Sequence, residues 1–273
     1  MKTLTIARAT ALEAIRQPAF WILVFLGAVM LVLTIYLPYF TFNEDIKMYK
    51  DTGLTTISFL ALLLALLTSS STVAEEIEGK TAVTLLSKPI TRAQFILGKF
   101  VGIEVGVLVL YLILGVLMAN GVWYKAGYDL IETAGTAEEL AQRGAHVWQI
   151  MPGLVLGFFE VTILTSISLA ISTRMPMLVN LVVCIAVFFL GHLSNVLVDV
   201  TNQRGVNELV KFMAKLFAWA LPSLEYFNAS PSISTGSVIP WVTYVLPAAG
   251  YCILYSTAAI LFALILFENR DVA

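Results

Sequence analysis

Two carboxylic acids fall where water is scarce. Glu160 lies near the middle of the apolar run 151–172, and Glu104 lies two turns inside the run 96–119. A carboxylate at the centre of a bilayer costs roughly 2.5–3.5 kcal/mol on insertion scales, so Glu160 must face the interior of a helical bundle or be neutralised there. No lysine or arginine lies deep enough in a run to pair with it. His192, about 9 Å below the outer end of the run 176–198 at 1.5 Å per residue, is the nearest partner in depth. Such a pair suits a substrate path or a proton carrier. Equally, Glu160 can be structural, hydrogen-bonded to Thr162 or Ser166 on neighbouring turns or to a facing helix. Glu104 reaches water at its end of the run and reads as structural, and Asn180 and Asn195 read as interhelical hydrogen bonders.

Other chemistry is thin. Gly79-Lys80-Thr81 imitates the end of a phosphate-binding loop, but the first glycine of that motif would fall at Ala74, and Glu75, Glu76 and Glu78 repel a polyphosphate. The chain is therefore expected to bind no nucleotide itself. There is no H-E-x-x-H and no G-x-S-x-G, and the only histidines are His146 and His192, so neither a metalloenzyme nor an intramembrane serine protease is indicated. Cys184 and Cys252 sit in apolar runs without C-x-x-C spacing, which argues against a disulfide or a metal site. A net charge of -2 leaves no basic field for nucleic acid.

The elements that must position these residues are helices in lipid. Of 273 residues 59% are hydrophobic and 12% charged, about half the charge of an ordinary soluble domain. Six runs are long and apolar enough to cross a bilayer, which takes about 20 residues: 19–40, 54–74, 96–119, 151–172, 176–198 and 242–267. The first exceeds a signal-peptide core and lacks a cleavage pattern, so it is expected to remain as a span. With both termini on one side, that side nets +3 (nine basic residues, counting Lys99, against six acidic) and the other nets -3. The positive-inside rule then puts both termini in the cytoplasm.

Two amphipathic segments flank the spans. Residues 3–17 place Leu4, Ala7, Ala11 and Ile15 on one helical face, interrupted by Arg8, which suits a helix lying in the membrane interface before Pro18. On the outer side Leu209, Val210, Met213, Leu216 and Phe217 oppose Glu208, Lys211 and Lys215, predicting a helix lying flat until Pro222. In the outer loop 120–150, Thr136 and Glu139 form a capping box for a short helix ending near Gly144.

The segment joining the second and third spans is the most informative. It is acidic yet carries Ile77, Val83, Leu85 and Leu86, so it can neither enter lipid nor leave those side chains bare without cost. A short helix docked on a partner is the economical reading. Thr91 with Gln94 forms a capping box that starts the third span. The acidic run, then Thr81, Leu85-Leu86, Pro89 eight residues past the threonine, Thr91-Arg92 and Gly98-Lys99, resembles the cytoplasmic loop of ABC-2 type transporter permeases. The six-span layout and the two amphipathic helices extend the resemblance over 1–273 as a single transmembrane domain. One departure is Lys80, where the family carries glycine directly before the threonine.

The resemblance implies an all-α integral membrane protein with an N-terminal interfacial helix, a cytoplasmic coupling helix between spans two and three, and an external amphipathic helix before span six. It implies a non-catalytic permease, an exporter in a prokaryotic cell membrane, working as a homodimer or with a second permease. A separate subunit would bind ATP and Mg and hydrolyse the nucleotide. Glu75, Glu76, Glu78, Thr81, Leu85, Leu86, Pro89 and Arg92 become the expected docking surface. Two other functions are compatible with the residues: a proton- or cation-coupled transporter using Glu160, and a membrane scaffold that anchors a partner without transport. The generic apolar side chains of the spans name no substrate.

Overall fold

The computed structural model describes residues 2–36, 45–72, 91–132, 143–193, 199 and 207–268. Among these the chain is helical without strands. Its main helices are α1 (Lys2–Arg16), α2 (Pro18–Tyr36), α3 (Asp45–Ser70), α4 (Arg92–Glu132), α5 (Arg143–Ser172), α6 (Met177–His192), α7 (Glu208–Ala220), α8 (Ser230–Ser234) and α9 (Leu246–Glu268). Five helical stretches are long and apolar enough to cross a membrane, Pro18–Tyr36, Ile46–Thr72, Arg92–Tyr128, Arg143–Ser172 and Trp241–Phe267, and α6 is a shorter apolar helix. The layout is that of a multi-pass membrane protein turned outward. Trp21, Phe25 and Met30 of α2 and Ile253, Leu254 and Phe262 of α9 are exposed, whereas Ser69, Ser70, Thr165, Ser168 and Asn180 are buried.

Contacts fix the directions. Gly27 and Ile35 of α2 meet Leu114 and Gly121 of α4, so these two run the same way, whereas Gly27 meets Leu60 and Leu31 meets Gly53 of α3, which runs against them. α3 and α5 run parallel in a constant register. Lys50 meets Gln149, Leu54 meets Gly153, Ser58 meets Gly157 and Ser69 meets Ser168, each pair separated by 99 positions. Gly157 makes this approach feasible, because a Cβ there would collide with the Ser58 hydroxyl and stand 2.9 Å from that of Tyr111. The bundle thus has a proximal end, where α2 and α4 begin and α5 and α9 finish, and an opposite distal end.

One expectation is revised by packing, and the end of the fifth apolar run is left outside the described residues. α1 lies along the first turns of α4, with Ala7, Thr10, Ala11 and Ala14 buried and Leu4 exposed. The cause is the series Gly98, Gly102 and Gly106 of α4, which lets the backbone of α1 approach: a Cβ at Gly102 would be 2.7 Å from the Ala7 carbonyl. Small residues rather than the Leu4 stripe therefore select the buried face. α6 is described over Met177–His192, with Leu224 and the Pro222 carbonyl packed on Gly191, and residues 194–198 of the expected run lie outside the described residues. Its 16 residues rise about 24 Å, less than the roughly 30 Å hydrocarbon core.

The segment after α7 supplies the missing distal packing. Leu224, Phe227 and Ile233 are buried, and Ile233 reaches both Gly153 and Leu54. α7 begins at the cap Asn207, whose side chain accepts from the Leu209 amide at 3.0 Å. Its end is not free in solvent, because the Tyr255 hydroxyl of α9 donates to the Ala220 carbonyl at 3.4 Å. Arg143 and Gly144, expected to close a loop helix, instead open α5. The Thr136/Glu139 box and Asn195 lie outside the described residues.

Candidate functional site

A polar seam runs the length of the α3/α5 contact. At its distal end the Lys50 ammonium, only 2% exposed, donates to Gln149 Oε1 at 2.7 Å and lies 3.2 Å from His146 Nδ1. Next inward, the Tyr111 hydroxyl of α4 donates to Ser58 Oγ at 3.1 Å. Toward the proximal end Asn180 of α6 donates to Ser70 Oγ at 2.7 Å and to Ser168 Oγ at 2.9 Å, and Ser168 is hydrogen-bonded to Ser69. The Cys184 thiol closes this node on Asn180 Oδ1 at 3.3 Å. Water is excluded there, so each partner left alone would lose a hydrogen bond with no replacement.

Between these nodes sit the acids. His192 Nε2 is 3.4 Å from Glu160 Oε1, an ion-pair separation without hydrogen-bond alignment, since Glu160 Oε1 is buried with no aligned donor. His192 Nδ1 lies 3.0 Å from the Phe188 carbonyl. A carbonyl only accepts, so the partner assigns the hydrogen to Nδ1 and leaves Nε2 facing the carboxyl. One proton placed on either Nε2 or Oε1 makes the pair neutral overall. Glu160 does not use Thr162 or Ser166: Thr162 Oγ1 donates to Glu104 Oε2 at 2.9 Å, and Ser166 Oγ donates to the Ile163 carbonyl. Glu104 is accordingly tied to α5, and its second oxygen is buried without a partner.

The proximal end carries a different arrangement. Thr91 and Gln94 make the reciprocal capping box, Gln94 N donating to Thr91 Oγ1 at 3.2 Å and Thr91 N to Gln94 Oε1 at 3.3 Å. One residue on, the Arg92 guanidinium donates to the Phe267 carbonyl at 2.7 Å and lies 5.4 Å from the centre of that ring. Phe95 stacks on the same ring at 5.9 Å. From the turn between α5 and α6, Arg174 Nε donates to the Leu266 carbonyl at 2.9 Å. Lys99, below Arg92 on α4, stands 4.0 Å from Glu13 of α1.

Of the residues singled out by sequence, Glu160 and His192 are brought together, Glu104 is placed one helix away, and Arg92 is anchored on α9. Glu75, Glu76, Glu78, Thr81, Leu85, Leu86 and Pro89 lie outside the described residues, as does the Gly79-Lys80-Thr81 sequence. Sequence reading missed the Lys50 trio, because Lys50 precedes the apolar run 54–74, and the link from Arg174 to Leu266. The signal for the Ser69/Ser168/Asn180 node was present in the clusters 69–72 and 166–173, rich in serine and threonine inside apolar runs. No group of three potential metal ligands occurs among the described residues.

Comparison with known proteins adds the identity of the scaffold. No curated protein matches the chain. The family model described as ABC-2 family transporter protein matches residues 4–272, which takes in the acidic segment, the polar seam and the arginine contacts together. With nearly its whole length inside that match, the chain belongs to the ABC-2 family of transporter proteins.

Proposed function

We propose that this chain is the permease subunit of an ATP-binding cassette exporter, powered by ATP and Mg held on a separate subunit. It crosses the membrane six times, α6 being the short crossing, with both termini and the proximal end in the cytoplasm of a prokaryotic cell. The segment 75–92 docks on the ATPase through Glu75, Glu76, Glu78, Thr81, Leu85, Leu86, Pro89 and Arg92. A pathway forms between two permeases, either two copies or this chain with a second one.

The observation that carries this reading is the fastening of the segment's far end. Residue 91 is hydrogen-bonded into the first turn of α4, and the next residue is hydrogen-bonded to α9. A pull on the preceding residues therefore acts on two spanning helices rather than being absorbed by a slack joint. ATP binding closes the ATPases, the docked segment moves with them, and the spans tilt to pass substrate outward. The absence of glycine at position 74 supports placing the nucleotide elsewhere.

Co-purification with the ATPase subunit, followed by ATPase assays of the complex in liposomes, tests the proposal. Glu76→Lys and Leu85→Asp are expected to abolish association while the permease remains folded. A permease that associates with no ATPase, or one whose association survives both substitutions, refutes it.

A further inference from the structure

The end of the described part of α9 offers carbonyls to other parts of the chain. Two of them are taken by arginines from different parts of the chain: Phe267 O by Arg92 at the start of α4, and Leu266 O by Arg174 of the α5–α6 turn. Cations at a helix C-terminus are favourable to its dipole, but this arrangement does more than cap. It makes the end of α9 a junction to which both α4 and the α5–α6 hairpin are tied.

The turn that bears Arg174 is short and internally braced. Arg174 N and Met175 N both donate to the Ile171 carbonyl, at 3.0 and 2.9 Å, and Asn180 N donates to the Pro176 carbonyl at 3.1 Å. Displacing Arg174 thus displaces α5 and α6 as one piece, together with the Glu160/His192 contact and the Asn180 node. The guanidinium is exposed, and its only hydrogen bond among the described residues is the one to Leu266. A single exposed contact contributes little to stability, so a purely structural purpose is a poor account of it.

We propose that Arg174 is a positioning residue that relays movement of the segment 75–92 from α4 and α9 to the α5–α6 hairpin. This rests on the reading that an ATPase moves that segment. Arg92 takes the movement into α9 and Arg174 takes it out, a route to the hairpin that runs beside the direct α4–α5 contacts at Glu104/Thr162 and Tyr111/Phe158.

The test uses the full permease in complex with its ATPase. An environment-sensitive fluorophore is placed on Leu97→Cys of α4 or on Leu178→Cys of α6, both exposed, while native Cys184 and Cys252 are buried. On adding a non-hydrolysable ATP analogue, both positions are expected to shift in the parent protein. Arg174→Met, which keeps length but removes the donor, should preserve the response at 97 and reduce that at 178 about twofold, the remainder passing through the direct α4–α5 contacts. Arg174→Lys should restore it, and the melting temperature of Arg174→Met should stay within about 2 °C of the parent.

An unchanged response at 178 in Arg174→Met overturns the relay, as does a response lost in the lysine variant too, or a methionine variant that melts many degrees lower. If neither label responds in the parent complex, the ATP-driven reading itself fails and the relay falls with it. These outcomes are separable because the response at 97 reports the first and the response at 178 the second.

Discussion

Glu160 of α5 and His192, the last residue of α6, meet at 3.4 Å with the carboxyl side chain 7% exposed. The neighbouring Phe188 carbonyl assigns the imidazole hydrogen to Nδ1, which leaves Nε2 facing the carboxyl. Removing one member strands the other. His192→Ala is expected to cost about 1–2 kcal/mol in detergent unfolding, and Glu160→Gln in the same background should add less than it does alone. Additive losses would show that the two side chains do not interact.

The Asn180 node makes a second case. Asn180→Leu removes donors to two helices at once and leaves Ser69, Ser70 and Ser168 to pair among themselves. Double-mutant cycles in membrane helices average about 0.6 and reach about 1.7 kcal/mol per bond, so a loss of roughly 1–2 kcal/mol is expected. Urea or thermal denaturation of the purified permease measures it.

Gly157 sets the closest approach of α3, α4 and α5. Gly157→Ala is expected to destabilise by about 1–3 kcal/mol through overpacking against Ser58 and Tyr111. Adding Ser58→Ala removes the nearer obstruction and should recover part of the loss, a recovery read as a rise in melting temperature of the double variant over the single one.

Lys50 tests the opposite expectation. Its buried ammonium has, among the described residues, the neutral partners Gln149 and His146, so Lys50→Met removes a desolvated charge and replaces it with an apolar chain of similar length. Stability should be unchanged or higher. Gln149→Leu, which strands the ammonium, should instead lower it by about 1–3 kcal/mol.

α7 exposes Leu209 to 71% while its partner face carries Glu208 and Lys211, themselves paired at 3.2 Å. If lipid covers that apolar side, cysteine at 209 or 213 should react slowly with a water-soluble maleimide in intact vesicles, and cysteine at 208 or 211 quickly. Equal rates at all four would place the helix in water.

How much of this was readable from the chain differs by element. α2, α4, α5 and α9 announce themselves because length and apolarity suffice to specify a helix in lipid. The packing around the end of α6 does not, since Leu224 and the Pro222 carbonyl seat on Gly191 from 33 and 31 positions further along the chain. Depth matching named His192 as the nearest partner for Glu160, because α5 ends and α6 begins at a common turn. It had no means of finding Lys50 or Arg174, whose partners are a glutamine 99 positions away and a backbone carbonyl 92 positions away. The face of α1 was legible in part: Ala7 and Ala11 of the expected stripe are buried, whereas Leu4 is exposed because the glycines of α4 reward small size.

The constant register between α3 and α5 also limits how this sequence can drift. Leu54 opposes Gly153 and Ser58 opposes Gly157, so bulk gained at one site must be surrendered at the residue numbered 99 higher. Slippage by one turn would set Leu54 against Gly157 and Lys50 against Gly153, stranding a buried cation beside a residue with no side chain to receive it. Related chains are therefore expected to change these positions in compensating pairs, and an alignment that inserts or deletes a residue within either helix is expected to be wrong.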